Sequence, residues 1–487
     1  MSRVVPKDPL LFVLGATGTG KSQLAIDLAT RFNGEIINGD AMQMYEGLPI
    51  ITNKITVEEQ NGIPHHLLGF IPLDAEPWTV GMFKKQASQI IQEIRSRGRL
   101  PIVVGGTHYY TQSLLFEDEL VSYGKASGDA QDNPQLSIEE LSKRFPILDA
   151  PTEQILDRLR EVDPLMAARW HPNDRRKIQT SLQIFLSSGR KASDIYKEQR
   201  EAKRIAQTTL NGNSASPATF EIGSPLLFWV HAKTDILKLR LDKRVDKMID
   251  VGLLDEVKSM ETIRQQYIRA GADLDVSRGI WASIGWKEFE SYLRYLEDEG
   301  GNPQKRDILH DDSLKKMKAA TRQYAKRQIR WISYKLIPKL VHENAINKLY
   351  LLDGTDISSW AENVSGPAID ITQEFILGHE LPRPSEISGL AGEFLNPERP
   401  LQHTQSKAHW VPKKCETCHT FVMTEGQWQV HSTTRAHRRM AKKMQRDGAN
   451  DINVVLTSIN DETINPHAKS PDLPDSEGQK LVSLKSS

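Results

Sequence analysis

The feature that most limits this chain is the run Gly15-Ala16-Thr17-Gly18-Thr19-Gly20-Lys21-Ser22, which matches G-x-x-x-x-G-K-[ST] at every fixed position. It follows the apolar run Leu10–Leu14 and opens a stretch of helical character, Gln23–Arg31. A strand ends there, glycines turn the chain tightly, and the N–H groups of the loop and helix start face a common point. Such a cradle holds a diphosphate or triphosphate. Lys21 adds a point charge, and the Ser22 hydroxyl is placed to help hold Mg²⁺. The loop needs a parallel sheet to stand on but does not by itself name a ligand or a reaction.

The surrounding pattern supplies that sheet. Leu10–Leu14, Gly34–Asn38 and Leu100–Val104 read as strands, and Gln23–Arg31 and Phe83–Ser96 as helices. Continuous apolar strands separated by helices indicate a parallel sheet covered on both faces, an α/β fold of P-loop type. Residues 124–133 read as a loop, the stretch from Leu136 to about Gln199 as a helical insertion, and 207–224 as another loop. The run Leu226–His231 resumes the sheet. Helices are expected over Leu237–Met260, Trp281–Tyr295 and Leu314–Leu336, and a last strand at Lys348–Leu352. The expected organisation is a core of residues 1–125 and 224–380, an insertion with its loop over 126–223, a linker over 381–407, a small module over 408–446 and a disordered tail over 447–487.

Lys plus Arg equals Asp plus Glu, 63 of each in 487 residues, so any nucleic-acid surface must be local. Two cysteines, Cys415 and Cys418, exclude a disulfide framework and suggest a reducing compartment. No apolar run approaches the ~20 residues of a membrane span. The first strand begins within ten residues of Met1, too soon for a secretory signal, so cytoplasm is the expected location.

Cys415-x₂-Cys418-x₁₂-His431-x₅-His437 has the spacing of a tetrahedral Cys₂His₂ zinc site. A module this small needs the metal's binding energy to fold, with Phe421, Val422 and Trp428 as its mini-core. Arg435, Arg438, Arg439, Lys442, Lys443 and Arg446 crowd its end and suit RNA phosphates, although they also suit a solvated face. The wide histidine gap resembles the fingers of U1-like and double-stranded-RNA-binding proteins.

Two further strand ends carry chemistry. Asp40, in Asn38-Gly39-Asp40-Ala41-Met42-Gln43, lies on the same rim as the phosphate loop, where open α/β sheets bind ligands. Gly105-Gly106-Thr107 brings a hydroxyl and a close-approaching backbone to that rim. Loop, sheet and acid alone would fit a P-loop kinase. The finger and basic helices alone would fit a non-catalytic RNA-binding protein.

The ordered set G-A-T-G-T-G-K-S, D-A-M-Q-M-Y-E-G-L-P-I-I-T-N-K, P-H-H-L-L-G-F, G-G-T-H-Y-Y, V-D-P-L-M-A-A-R-W-H-P-N-D-R-R-K and A-T-R-Q-Y-A-K-R-Q-I-R-W resembles the tRNA dimethylallyltransferases over about residues 10–335. The added finger resembles their eukaryotic branch. The resemblance implies transfer of a dimethylallyl group from dimethylallyl diphosphate to N6 of adenosine 37 of tRNA, with Mg²⁺ and a structural Zn²⁺. It makes Asp40 the general base and places Lys21, Ser22, Thr107 and Arg244 around the diphosphate. Asp40, Ala41, Met42 and Gln43 would contact the extruded adenine.

Gln179, Thr180, Ser181, Leu182 and Gln183 match a tRNA-contacting segment, and Arg322, Lys326, Arg327 and Arg330 a basic helix that contacts RNA or supports the site. Two positions depart from the family pattern: Thr180 stands where arginine is usual, and Ala41 where serine is usual. The partners implied are the tRNA anticodon arm and the prenyl donor, with no membrane and no protein partner. Related eukaryotic enzymes are also divided between cytosol, mitochondrion and nucleus.

Overall fold

The computed structural model describes residues 5–116, 143–198, 201, 223–271, 275–296, 302–395, 413–418, 420–422 and 424–444. The five apolar runs form strands β1 (Pro9–Gly15), β2 (Gly34–Asn38), β4 (Leu100–Val104), β5 (Ser224–His231) and β6 (Leu349–Asp353). The short pair His65–His66 adds an edge strand, β3, too brief to leave a periodic signal. The sheet runs β3-β2-β4-β1-β5-β6 with every pairing parallel. Successive strand residues point to opposite faces. Leu10, Phe12 and Leu14 therefore enter one core cluster with Trp229 and Leu351, while Leu11 and Val13 enter another with Phe228 and Tyr350. Apolar residues on both faces explain why these strands read as unbroken hydrophobic runs.

Helices α1 (Lys21–Phe32), α2 (Val80–Ser96) and α3 (His108–Leu115) connect the first strands. The insertion holds α4 (Thr152–Val162), α5 (Pro164–Arg169) and α6 (Arg175–Ser188). After β5 come α7 (Thr234–Asp250), α8 (Leu253–Arg269), α9 (Trp286–Leu296), α10 (Pro303–Trp331) and α11 (Ile337–His342). Helices α12 (Gly366–Leu377) and α13 (Gly389–Leu395) follow β6, and α14 (Glu425–Thr433) lies in the finger. Among the described residues no helix is long and apolar enough to cross a membrane.

Three elements differ from the sequence expectation. The single helix over 237–260 breaks at Gly252, whose φ of 105° is left-handed, and becomes α7 and α8. Helix α10 begins eleven residues earlier than expected, where the Asn302 side chain accepts the Gln304 N–H and Pro303 takes the first helical position. It leaves through a π turn at Ile332–Leu336, just before Pro338, which has no N–H to give. The expected linker over 381–407 starts instead as structure: α13 buries Ala391 and Leu395, and Phe394 packs edge-on against Trp229. The apolar spacing of Leu390, Ala391, Phe394 and Leu395 marks a helix face and outweighs the nearby prolines and glycines. The loops expected over 124–133 and 207–222, linker residues 396–407 and the tail over 447–487 lie outside the described residues.

The chain divides into two compact units, residues 1–135 with 194–404 and residues 136–193 with 405–487. In the second, α4 and α6 bury Ile155, Leu156, Leu159, Ile178 and Leu182 around a small core of their own. Arg175 ties the start of α6 back by donating to the Leu148 carbonyl at 3.1 Å and to that of Ala150.

At the sheet end away from the phosphate loop, the buried Glu35 carboxylate accepts from Arg97 at 2.8 and 3.1 Å and from Arg99 at 3.1 Å, and lies 2.6 Å from His66 Nε2. Burial alone would raise its pKa, but hydrogen bonds from Arg97 and His66 hold it below the ordinary 4.5. A depressed carboxylate adds stability above its unfolded value and loses it as pH falls toward the folded value. Glu35→Gln is therefore expected to lower stability by about 1–3 kcal/mol at neutral pH. The melting-temperature gap to wild type should narrow below pH 4.5. A gap that is constant from pH 7 to 4 would show that the ion cluster is not its source.

Candidate active site and metal centre

The loop from Gly15 to Ser22 joins β1 to α1. Gly15 has φ +144°, and a Cβ there would come within 2.3 Å of the Val230 carbonyl oxygen on β5, so the turn excludes any side chain. Thr19 Oγ1 donates to the Ala16 carbonyl at 2.9 Å, and Lys21 Nζ donates to the same oxygen at 2.7 Å. Burial pulls the Lys21 pKa down to about 8, with Asp40 acting against it and Arg244 with it. Arg244, on α7, donates to Thr17 Oγ1 at 3.0 Å, and burial lowers its pKa as well. Ser22 is exposed at the start of α1 and has no side-chain hydrogen bond among the described residues.

Asp40 follows β2 and is fixed at both ends. Its N–H donates to Asn38 Oδ1 at 3.0 Å, and its Oδ1 accepts the Met42 N–H at 3.1 Å. Burial raises its pKa, while the Met42 N–H and the Lys21 charge pull the other way. Thr107, after β4, accepts the Ala41 N–H on its Oγ1 at 3.0 Å. The Asp40 carboxylate, the Thr107 hydroxyl and the glycine-rich loop thus share one rim. Gln43 turns its amide to the Asn53 carbonyl at 2.9 Å, bracing the loop whose Ile50 and Ile51 N–H groups donate to Glu256 at 2.9 and 2.7 Å.

Sequence reasoning missed three groups here. Gln328 and Tyr324 reach the rim from α10: Gln328 bonds both the Thr17 N–H and the Gly106 carbonyl, and Tyr324 bonds Thr107 and Gln328. Burial raises the Tyr324 pKa, so its hydroxyl stays protonated. His108 is buried with neither ring nitrogen bonded among the described residues; burial and then the charge of Lys21 pull its pKa down to about 3. It is a neutral imidazole at neutral pH. The missed signal on α10 is the i,i+4 spacing of Tyr324 and Gln328, on a different face from Arg322, Lys326 and Arg330.

The basic residues of α10 divide by role. Arg322 is spent on Asp242 of α7, and Arg327 lies 5.9 Å from the Tyr324 ring. Lys326, Arg327 and Arg330 are exposed. In the insertion, Asp174 caps α6 by accepting the Lys177 N–H. Ser181 and Leu182 are buried inward, Ser181 accepting the Trp170 indole N–H at 2.8 Å. Gln179 donates to the Leu148 carbonyl at 3.0 Å. Of the expected segment, Thr180 is exposed and Gln183 half-buried.

In the finger, the ligand atoms of Cys415, Cys418, His431 and His437 all lie within 4.8 Å of one another. Cys418 Sγ is 3.3 Å from His431 Nε2, and Cys415 Sγ is 3.5 Å from His437 Nδ1. A tetrahedral ion with bonds of about 2.0–2.3 Å requires separations of roughly 3.3–3.8 Å, which these two pairs meet, and the four residues together supply the donor set of a metal site. Only Cys415 and Val422 are buried in the described finger, whereas Trp428 is half-buried. Phe421 faces the insertion, 6.2 Å ring to ring from His171, whose Nε2 is 3.3 Å from the Phe421 carbonyl oxygen. His171 Nδ1 accepts the Asn173 N–H at 3.1 Å, which puts the ring proton on Nε2. Arg438 donates to the Thr433 carbonyl, while Arg435, Arg439, Lys442 and Lys443 are exposed; Arg446 lies outside the described residues.

Comparison with known proteins shows which family the chain resembles. The IPP transferase family model matches residues 43–335. The tRNA dimethylallyltransferase of Schizosaccharomyces pombe is 36% identical over 463 residues, covering 93% of this chain and 99% of the relative. That of Homo sapiens is 33% identical over 482 residues, covering 98% and 95%. A solved structure of a eukaryotic dimethylallyltransferase acting on tRNA superposes with a TM-score of 0.68 at 32% identity, covering 91% of this chain and 98% of the other. The chain belongs to the IPP transferase family.

Proposed function

We propose that this protein transfers a dimethylallyl group from dimethylallyl diphosphate to N6 of adenosine 37 of tRNA, releasing diphosphate. The observation that carries the reading is the placing of a half-buried carboxylate, Asp40, beside the lysine of a phosphate loop. The kinship with enzymes named tRNA dimethylallyltransferase supports the same reaction. The amine nitrogen attacks the allylic carbon as the carbon–oxygen bond to diphosphate breaks, and its proton passes to Asp40. Adenine amines are weak nucleophiles, so a carboxylate at hydrogen-bond distance is needed. The N–H groups of the loop, Lys21 and Arg244 meet the charge that grows on the diphosphate, the kind of fixed stabilisation that contributes most to such steps. The Ser22 hydroxyl, exposed at the start of α1, would hold Mg²⁺, which offsets diphosphate charge when bound.

Arg176, Lys177, Thr180 and Gln183 of the insertion and Arg435, Arg439, Lys442 and Lys443 of the finger are the groups offered to tRNA phosphates and loop bases. The finger's metal is zinc, the ion that Cys₂His₂ sets of this spacing select. The base must leave the anticodon-loop stack to reach Asp40.

The test is nucleoside mass analysis of tRNA incubated with dimethylallyl diphosphate and Mg²⁺, beside a reaction given labelled ATP. An adenosine heavier by one five-carbon prenyl group is expected. Label transfer from ATP without prenyl incorporation would make the protein a kinase instead.

A further inference from the structure

Gln328 has no part in the steps above, yet it joins their two halves. It lies on α10, 4% exposed. Its Oε1 accepts the Thr17 N–H at 2.8 Å, and its Nε2 donates to the Gly106 carbonyl at 3.0 Å. A Cβ at Gly106 would come within 2.2 Å of Gln328 Nε2 and 3.3 Å of Asp40 Oδ2. The glycine therefore opens the space in which the amide lies alongside the carboxylate. One turn back, Tyr324 bonds Thr107 and Gln328, and Thr107 holds the N–H of Ala41, next to Asp40. On the other side Thr17 is held by Arg244. One side-chain amide, carrying a donor and an acceptor together, spans from the diphosphate loop to the Gly106 turn that lies against the base.

We propose that Gln328 is a positioning residue that fixes the separation between the diphosphate loop and Asp40; this rests on the prenyl-transfer reading above. A displacement demands the nucleophile and the leaving group in line on one carbon, and a misplacement of about 1 Å costs on the order of 10²-fold in rate. Thr17 and Gly106 sit on turns that leave different strands, β1 and β4, and α10 is a rigid third element bonded to both.

Gln328→Ala is expected to slow single-turnover prenyl transfer, at saturating tRNA and donor, by on the order of 10²-fold. Its tRNA Kd should stay within about threefold, and its melting temperature within a few degrees. Gln328→Met, which keeps length and removes both hydrogen bonds, carries the same expectation should the alanine variant fail to fold. Gln328→Glu places a second carboxylate beside Asp40, which already faces Lys21, Tyr324 and the Met42 N–H. Like charge favours the protonated base, so the acid limb of the pH–rate profile should move to higher pH. That shift reports the nearness of the amide to the base, while the loss of saturated rate at unchanged tRNA affinity in the alanine and methionine variants reports the positioning role.

The proposal is overturned if Gln328→Ala and Gln328→Met keep rates within about threefold of wild type. It is equally overturned if their losses lie wholly in tRNA affinity or folding while the acid limb of Gln328→Glu stays in place. Asp40→Asn separates the two ideas. If that variant is inactive and Gln328→Ala is at full speed, only the positioning role falls. If Asp40→Asn also prenylates at the wild-type rate, the underlying reading fails.

Discussion

Asp40→Asn should reduce single-turnover prenyl transfer by roughly 10²–10⁴-fold, the usual contribution of a placed general base. The amide keeps the size of the side chain and an acceptor for the Met42 N–H, so the turn after β2 should survive and tRNA should still bind. Rapid-quench assays at saturating tRNA, beside filter binding, check both parts. A variant that binds and reacts like wild type would remove Asp40 from the chemistry. The pH profile gives an independent check. Burial holds the Asp40 pKa above the ordinary 3.8, and the carboxylate must be ionised to take the proton, so the rate should fall on the acid side with a midpoint above that value. In the free enzyme Lys21 titrates at about 8, so kcat/KM for the donor should fall again as pH rises through that region.

Removing the metal should have the largest structural effect. Structural zinc in finger peptides contributes apparent binding energies of about 10–16 kcal/mol, far more than the few buried side chains of this finger can replace. Chelation, or Cys415→Ser, is expected to abolish hydrogen-exchange protection across residues 413–444 while the sheet keeps its own. tRNA affinity should drop by at least about tenfold, and the single-turnover rate at saturating tRNA should stay near wild type. Retained protection after chelation would mean that the finger folds without metal. A collapse of the saturated rate would mean that the finger also shapes the active site.

The sequence told most where one rule dominates. Five strands were legible because each is buried on both faces, and the phosphate loop because only glycine, lysine and a hydroxyl residue satisfy its geometry. Asp40 and Thr107 could be placed on the rim because both follow apolar strands directly. What stayed hidden depends on contacts distant in sequence. Gln328 meets Thr17 across 311 positions, and its i,i+4 spacing to Tyr324 marks a shared face without saying what that face meets. Ser181 and Leu182 looked like part of an RNA-facing segment, but the helix period turns them inward while Thr180 stays out. Helix α13 was masked by flanking prolines and glycines, although its four apolar residues share a face. In the finger, the ligand spacing was plain, but the contact of Phe421 with His171, 250 positions away, was not.

The second compact unit is built from residues 136–193 and 405–487, with core residues 194–404 between them in the chain. On a ribosome these parts emerge far apart in time. At synthesis rates of about 5–20 residues per second, the stretch between His171 and Phe421 takes on the order of tens of seconds to appear. For that interval α4, α5 and α6 are without the finger, and the cluster around Ile155, Leu159 and Ile178 holds them together. The finger, made last, then finds a surface already formed. Any variant that weakens that cluster should lower the yield of complete protein made in cells before it alters the activity of the molecules that finish.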